Sequence, residues 1–178
     1  AALSDVRTTG GNGAVVIRTT AGDLTLNNGS SPGAGSDPAD DNAIAAHGSG
    51  NILLQTLGAD TDITANADIV SGSGNITLKA ADNITLQSGV DVSTTGGGTL
   101  DLDAGTGSFA MATDATLSTV DGDIRLRVGD AITEAETDQL IIGRITATNA
   151  NVSLQTTGSI LDADDASSGD DGTVDITA

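Results

Sequence analysis

Five aspartates crowd into ten residues near the end of the chain, and their side chains are the best suited to bind a ligand. They are Asp162, Asp164, Asp165, Asp170 and Asp171. Ca²⁺ prefers oxygen ligands, and a corner that folds back on itself would bring several carboxylates together. A solvated acidic loop is the competing interpretation, since the spacing does not match an EF-hand. Calcium is therefore the one candidate cofactor, and Asp37, Asp40 and Asp41 form a second acidic cluster.

Residues that perform most enzymatic chemistry are scarce. The chain has no Cys, one histidine (His47) and one lysine (Lys79), and it lacks a phosphate-binding lysine loop. Sugar-binding and sugar-cleaving sites usually stack aromatic rings on the sugar, but Phe109 is the only aromatic residue. A lone histidine in a turn is more often incidental than catalytic. We expect no enzymatic activity and no catalytic residue.

The overall charge excludes two classes of partner. The 178 residues carry a formal charge of −19, with six basic side chains against 25 acidic ones. Nucleic-acid binding needs lysines and arginines to neutralise phosphates, so a nucleic-acid partner is not expected. No run approaches the roughly 18 apolar residues of a membrane span, so membrane insertion is not expected either. The chain opens at Ala1, which suggests a processed chain or a segment of a longer one.

One short motif recurs along the chain and supplies the elements that would position these residues. It consists of a small residue, a polar residue, an aliphatic residue, a variable residue and a second aliphatic residue. Six of the seven copies begin with Gly, and the copies start at Gly22, Gly50, Gly74, Gly98, Gly122, Ala150 and Gly172. Successive copies are 28, 24, 24, 24, 28 and 22 residues apart. A repeat of this length indicates a solenoid built from similar coils.

The pattern within each repeat indicates the fold. Apolar residues alternate with polar ones over short runs, which is the period of a β-strand, and Gly, Asp, Asn and Ser separate the runs. About three such strands fit into one repeat. We therefore predict an all-β parallel β-helix, or β-solenoid, of about seven coils of 22–28 residues with three short strands per coil. The only helical candidate is a short turn between Asp130 and Leu140.

Two inward columns of aliphatic side chains would form the core of this solenoid. The first would contain Leu24, Ile52, Ile76, Leu100, Ile124, Val152 and Val174. The second would contain Leu26, Leu54, Leu78, Leu102, Leu126, Leu154 and Ile176. Stacked residues of medium size would fill a narrow interior without aromatic rings. Glycines and aspartates would serve the corners, through positive φ angles or bonds from side chain to backbone.

Columns on the outside of the coils bear on binding. The position between the core columns reads Thr25, Leu53, Thr77, Asp101, Arg125, Ser153 and Asp175, which is not the regular threonine array of an ice-binding solenoid. The position before them reads Asp23, Asn51, Asn75, Thr99, Asp123, Asn151 and Thr173, a predicted polar ladder that bonds along the stack. The six basic residues do not fall into one column, although Arg125 and Arg127 share a strand.

Departures from the repeat locate the loops and ends. Both prolines lie in a predicted protruding loop at about residues 27–43, and the acidic corner covers about 162–171. No linker divides the chain, so residues 1–178 are predicted to form one domain.

The spacing of the motif would continue into a second copy of the chain. Ile176 and the Leu26 of a following copy would be 28 residues apart, which is a coil length already present in the sequence. The chain could therefore stack head to tail on itself, because a solenoid end exposes unpaired strand edges.

The sequence from Gly74 to Leu86 resembles the filamentous-haemagglutinin-type repeats of large bacterial surface proteins. These include two-partner-secretion exoproteins and autotransporter-like passenger domains, and the similarity extends from about residue 10 to residue 178. The resemblance implies a right-handed parallel β-helix, an extracellular or cell-surface location, and a role in adhesion, biofilm or fibre formation. The amino-terminal secretion domain of that family is not recognisable in this sequence.

We therefore predict a structural module of an extracellular bacterial filament or adhesin stalk. Its predicted partners are further copies of itself and, as a second possibility, surface glycans or matrix. The alternative functions are a carbohydrate-binding or carbohydrate-cleaving β-helix and an ice-binding solenoid.

Overall fold

The computed structural model describes residues 2–29, 41–129, 138–164 and 174–178, and this part of the chain contains strands and no helix. Twenty short strands form three parallel sheets, and consecutive strands occupy different sheets. Sheet A contains β1 Ala2–Ser4, β4 Leu24–Asn27, β7 Ile63–Ala65, β10 Ile84–Leu86, β13 Phe109–Met111, β16 Leu140–Ile142 and β19 Ile160–Asp162. Sheet B contains β2 Val6–Arg7, β5 Asn42–Ala46, β8 Asp68–Ser71, β11 Asp91–Thr94, β14 Thr116–Thr119, β17 Arg144–Ala147 and β20 Ile176–Thr177. Sheet C contains β3 Val15–Thr19, β6 Ile52–Thr56, β9 Ile76–Ala80, β12 Leu100–Ala104, β15 Ile124–Val128 and β18 Val152–Thr156.

This arrangement is the predicted all-β parallel β-solenoid with three strands per coil. Each inner strand bonds to the strands one coil before and one coil after it, for example through Ile76 N to Thr99 O (2.8 Å) and Leu100 N to Asp123 O (3.0 Å). Neighbouring coils therefore satisfy the backbone groups of every inner strand, which a single short strand could not do alone.

The number of coils is lower than predicted. Sheet C has six strands, so the chain makes five turns (6 − 1) between the first and the last of them. The difference comes from the two outermost copies of the motif. The copy at Leu24 forms β4 in sheet A, where Leu24 pairs with Ile63, and the copy at Ile176 forms β20 in sheet B, where Ile176 pairs with Ile145.

The true first member of the sheet C columns is β3, whose Val15 and Ile17 pair with Ile52 and Leu54. From β6 to β18 the columns follow the predicted order without a slip. Val15 and Ile17 precede Leu24 by nine and seven residues, and both segments alternate in the same way, so pattern alone did not separate them.

The core is a single apolar cluster that runs along the axis between the three sheets. Ten of the predicted core residues are at most 1% exposed: Leu24, Leu26, Ile52, Leu54, Ile76, Leu78, Leu100, Leu102, Ile124 and Leu126. Sheets A and B supply further buried side chains, including Ile84 and Leu86 and, in the next coil, Phe109 and Met111. Phe109 is fully buried and so offers no surface for stacking a ligand.

Core predictions for the last coils are only partly right. Val152 and Leu154 pack against the core but are half-buried, and Ile176 is 37% exposed. Val174, which lies outside any strand, is 67% exposed, so its assignment to the core is wrong. The cause is position: the described chain places no further coil over these residues, so the same pattern buries less surface there.

Gly22 has the predicted positive φ angle (97°), but four other motif glycines have a different role. Gly50, Gly74, Gly98 and Gly122 do not have positive φ angles. Each lies against the glycine one coil earlier, and a Cβ atom on Gly98 would be 2.1 Å from the carbonyl oxygen of Gly74. The column begins at Gly13, whose carbonyl oxygen would be 2.3 Å from a Cβ on Gly50. Glycine is required here because the backbones of successive coils touch.

Some predicted features fall outside the described residues. Most of the predicted loop at 27–43 does, since residues 30–40 are not described, and so does 130–137 of the candidate helical segment. Within the described residues, there is no helix that could span a membrane.

Candidate functional site

Three carboxylates meet at the end of the solenoid formed by β19 and β20. Asp162 ends β19, Asp164 follows two residues later, and Asp175 immediately precedes β20. One carboxylate oxygen from each lies within 4.8 Å of the other two, and all three residues are half-buried. The backbone N–H of Asp164 donates to Asp162 Oδ1 at 3.1 Å. This geometry can offer hard oxygen ligands to a divalent cation.

The composition of this group differs from the predicted one. Asp162 and Asp164 belong to it, whereas Asp165, Asp170 and Asp171 lie outside the described residues. Asp175 was not predicted as a ligand, because its motif was assigned to the wrong sheet. The pairing of β20 with β17 is what brings Asp175 beside the acidic corner.

Asp162 occupies an unusual place in the stack. It pairs with Ile142, and Ile142 is a buried member of the inward column of sheet A. Because residues in register on parallel strands share a face, Asp162 lies on the inward face of its strand. A carboxylate thus stands at the end of an apolar column, where a further coil would bury it.

The second predicted acidic cluster is described at one residue. Asp41 has a φ of 42°, and its Oδ1 accepts a hydrogen bond from Asn28 Nδ2 at 2.6 Å. Its carbonyl oxygen accepts from the backbone N–H of Asp68 at 3.0 Å. Asp37 and Asp40 lie outside the described residues. These contacts give Asp41 a role in joining β5 to the next coil.

The predicted polar ladder is confirmed from Asn51 to Thr99 and again from Asp123 to Asn151. Asn51 Oδ1 accepts from the backbone N–H of Asn75, and Asn75 Oδ1 accepts from that of Thr99, at 2.8 and 3.0 Å. Asp123 Oδ1 accepts from the backbone N–H of Asn151 at 2.9 Å, which lowers the pKa of Asp123. Thr173 lies outside the described residues.

Asp23 belongs to a second ladder, at the entrance to sheet A. Asp23 Oδ1 accepts from the backbone N–H of Asp62, and Asp62 Oδ1 accepts from that of Asn83. Asn83 Oδ1 then accepts from the backbone N–H of Ser108 at 2.8 Å. These short side chains align the coils, so their recurrence has a structural explanation.

The outward surface of sheet C, which we call the charged face, gathers four basic residues. The register places one column in the order Arg18, Gln55, Lys79, Asp103, Arg127 and Gln155. The six basic residues do not fall into one column, as predicted, but three of them share this one and Arg125 lies on the same face beside them. The contribution of Arg18 was not foreseen, because the strand that carries it, β3, was not identified from the sequence.

Two ion-pair groups fix the side chains of the charged face. Arg125 donates from Nε and Nη2 to the two oxygens of Asp101 at 2.9 and 2.7 Å. Arg127 binds Asp103 in the same bidentate manner, and Lys79 Nζ donates to Asp103 Oδ2 at 3.2 Å. Bidentate pairing holds a guanidinium group in one orientation. Asp103 is buried, whereas Asp101 is about one-third exposed.

Two aspartates respond in opposite ways to their surroundings. Burial raises the pKa of Asp103, but hydrogen bonds and charge from Arg127 and Lys79 outweigh it, so the net pKa lies below the ordinary value. Burial also raises the pKa of Asp82, and there the nearby carboxylates of Asp62 and Asp60 raise it further. A hydrogen bond from Thr106 opposes this rise without cancelling it. The two pKa values move in opposite directions because Asp103 has basic partners, whereas Asp82 lies near other carboxylates.

A shallow groove of about 290 Å³ lies beside the ion pairs, at the entrance to β12, β15 and β18. Its polar walls come from both the ladder and the charged face. They comprise Thr99, Asp101, Asp123, Arg125, Asn151 and Ser153. The groove is open and shallow, which suits an extended ligand better than a small enclosed one.

The outward column considered for ice binding does not lie on one sheet, because Thr25 belongs to sheet A and Asp175 immediately precedes β20 of sheet B. On sheet C the outward column reads Val16, Leu53, Thr77, Asp101, Arg125 and Ser153. Thr25 lies instead on sheet A, in register with Thr64 and Thr85, after which Ala110 interrupts the run. Neither outward column is a regular threonine array over the described coils.

His47 is exposed and takes part in a turn. Its Nδ1 lies 2.9 Å from the carbonyl oxygen of Gly11, and its backbone N–H donates to Thr8 Oγ1 at 2.9 Å. Both contacts join the first two coils.

Comparison with protein-family models, with curated proteins and with solved structures finds no match to this chain in any of the three. The resemblance to filamentous-haemagglutinin-type repeats therefore stays a prediction.

Proposed function

We propose that this chain is a structural module, a β-solenoid segment of an extracellular bacterial filament or adhesin stalk that can stack end to end. The observation that carries the proposal is the continuous ladder of three parallel sheets, in which each inner strand pairs with the strands of the neighbouring coils. Such a ladder adds coils without changing its cross-section, so it extends by repetition.

The end surfaces of the described stack support this use. The last strands, β18, β19 and β20, have a parallel partner on one side only. Apolar side chains remain open beside them, since Ile160 is 48% exposed and Ile176 is 37% exposed. Unpaired edge groups and partly exposed apolar residues are what a following coil would cover, whether it belongs to the same chain or to another copy.

Calcium enters the proposal through Asp162. Stacking a coil on this end would bury the inward carboxylate beside Asp164 and Asp175, and burying uncompensated charge is unfavourable. A divalent cation held by the three carboxylates would offset that cost. We expect end-to-end assembly to increase with added Ca²⁺ and to decrease with a chelator.

The proposal assigns no catalysis to the chain. His47 contributes to a turn, the buried Asp103 is engaged by two basic residues, and Phe109 is enclosed in the core.

Electron microscopy and light scattering of the purified chain at rising concentration test the proposal. We expect rods that lengthen with concentration, with an axial diffraction spacing of about 4.8 Å. Ile160→Asp should abolish lengthening, because it adds charge to the end surface. Val70→Asp, which adds the same charge to the outward face of sheet B, should not. A monodisperse monomer at all concentrations, with and without Ca²⁺, would overturn self-assembly.

A further inference from the structure

Sheet C has the opposite charge to the rest of the molecule. Its strands carry four basic residues and two acidic ones, namely Arg18, Lys79, Arg125, Arg127, Asp101 and Asp103. Their sum is +2, so the remaining chain carries −21 (−19 − 2). The strands of sheet A carry one acid, Asp162, and no base, while sheet B carries two of each. Among the three sheets of the described chain, the charged face is therefore the most favourable surface for an anionic ligand.

The cations of this face are regularly spaced along the axis. Arg18, Lys79 and Arg127 lie in one column on β3, β9 and β15, with Gln55 and Asp103 on the strands between them. Alternate strands are about 9.6 Å apart. A polymer lying along the solenoid would thus meet a cation at every second strand, with Gln55 on one intervening strand and the ion-paired Asp103 on the other.

These cations keep donors available for a ligand. Arg125 and Arg127 each use Nε and Nη2 in their pairs with aspartate, and a guanidinium has five N–H donors, so three (5 − 2) remain on each. The side chains of Arg125 and Lys79 are 53% and 49% exposed. Because Asp101 and Asp103 hold the guanidinium groups in place, a ligand would not have to order them on binding.

The same residues discriminate between classes of ligand. A neutral sugar is usually held by aromatic stacking, but the only aromatic ring, Phe109, is buried. Single-stranded nucleic acid also relies on aromatic platforms and on a strongly basic groove. Recognition here must depend on charge-assisted hydrogen bonds and on amide or hydroxyl groups such as those of Gln55 and Ser153. This chemistry suits a carboxylated sugar polymer.

We propose that the charged face binds a linear polyuronate, a polysaccharide whose sugars carry carboxylates, along the axis of the solenoid. Successive sugars of an extended β-linked chain are turned over relative to one another. Carboxylates on one side of such a chain therefore recur at every second sugar, which matches the alternation of basic strands. The groove beside Arg125 would accept the sugar rings next to the bound carboxylates. This binding is a property of a single chain and does not depend on filament formation.

Calorimetric titration of the chain with a homogeneous β-linked oligouronate at low ionic strength tests the proposal. The double variant Arg18→Gln/Arg125→Gln removes two exposed cations without touching the buried Asp103. Arg7→Gln/Arg144→Gln makes the same change in net charge on sheet B and is the matched control. Circular dichroism checks that both variants fold. The neutral oligosaccharide of the same linkage and an oligothymidylate are the comparison ligands.

We expect the oligouronate to bind more weakly as salt rises, and the sheet C variant to lose about tenfold or more in affinity, since charge-assisted contacts are removed. The sheet B control should stay within about twofold of the original chain, as surface charges far from the ligand are screened. Absence of oligouronate binding at low salt, or equal loss in both variants, would overturn the proposal. Equal or tighter binding of the oligothymidylate or the neutral oligosaccharide would also overturn it.

Discussion

The central and the last coils contain the same motif but differ in burial. In β12, Leu100 and Leu102 are fully buried, whereas in β18 the equivalent Val152 and Leu154 are half-buried. The strands have the same length and pair in register through β15. The sequence pattern of a solenoid therefore defines which face of a strand is inward, and the position in the stack determines how much apolar surface that face buries.

The largest expected effect comes from removing the same side chain in the two regions. Leu102→Ala leaves a cavity between two covered coils and should lower the free energy of unfolding by about 3 kcal/mol or more. Leu154→Ala removes a half-buried side chain and should lower the free energy of unfolding by only about 1 kcal/mol. Urea denaturation of both variants measures the difference. Similar losses would contradict the importance of position in the stack.

A smaller effect is expected from the glycine column, with an adjacent glycine as its control. A Cβ on Gly98 would lie 2.1 Å from Gly74 O and 2.8 Å from Thr94 Oγ1. Gly98→Ala should therefore lower the free energy of unfolding by about 2–3 kcal/mol. A Cβ on Gly97 would meet nothing within 4 Å, and Gly97→Ala should change stability by less than about 1 kcal/mol. Thermal unfolding of the two variants compares them. If both were tolerated, the central coils would be less tightly spaced than described.

The ion pairs of the charged face should differ according to burial. Asp103→Asn removes a buried carboxylate that binds both Lys79 and Arg127. It should lower the free energy of unfolding by about 1–2 kcal/mol. Asp101→Asn breaks a more exposed pair and should cost less than about 1 kcal/mol. Denaturation at neutral pH measures both losses, and equal losses would show that burial does not set the value of these pairs.

The same variant has a predictable dependence on pH. The pKa of Asp103 is lower in the folded chain than the ordinary 3.8, so its carboxylate stabilises the fold above that value. The contribution declines as the pH falls below 3.8 and is lost as the pH passes the folded pKa. The stability gap between the original chain and Asp103→Asn should therefore narrow on acidification. A gap that widens in acid would contradict the lowered pKa.

The smallest expected effect concerns the acidic end. Asp162→Leu continues the apolar column that ends at Ile142, and it should raise stability by about 0.5–1 kcal/mol and promote end-to-end assembly without Ca²⁺. Asp114→Leu, a change of equal charge in an exposed turn, is the control and should do neither. Melting temperatures and light scattering report the two effects. A loss of stability in Asp162→Leu would contradict the view that the inward carboxylate of Asp162 makes burial at this end of the solenoid unfavourable.

Sequence reasoning predicted the fold class because each coil repeats one local rule. Alternation identified Ile76, Leu78, Leu100 and Leu102 as inward, and these four side chains are fully buried. A motif states which face is apolar but not which sheet the strand joins. That choice depends on where the chain turns between coils, and for this reason Leu24 and Ile176 were assigned to the wrong sheet.

The candidate sites were less predictable, since they combine residues from different coils. The column of Arg18, Lys79 and Arg127 depends on the register of β3 with β6, and no motif marks β3. Asp175 approaches Asp162 only through the pairing of β20 with β17. Some sequence signal did exist, because Val15 and Ile17 alternate like the other strands and follow Gly13, the first member of the glycine column.

Hydrogen exchange of individual backbone amides in the monomeric chain tests the central claim most directly. The amides of Ile76, Leu100 and Ile124, each bonded to the next coil, should exchange only through global unfolding. Amides in β19 and β20 should exchange faster by orders of magnitude, since those strands lie beside exposed core residues. A gradient of protection that falls from the middle coils to the last one is the predicted result. Uniform protection along the chain, or rapid exchange in β9, β12 and β15, would contradict the account.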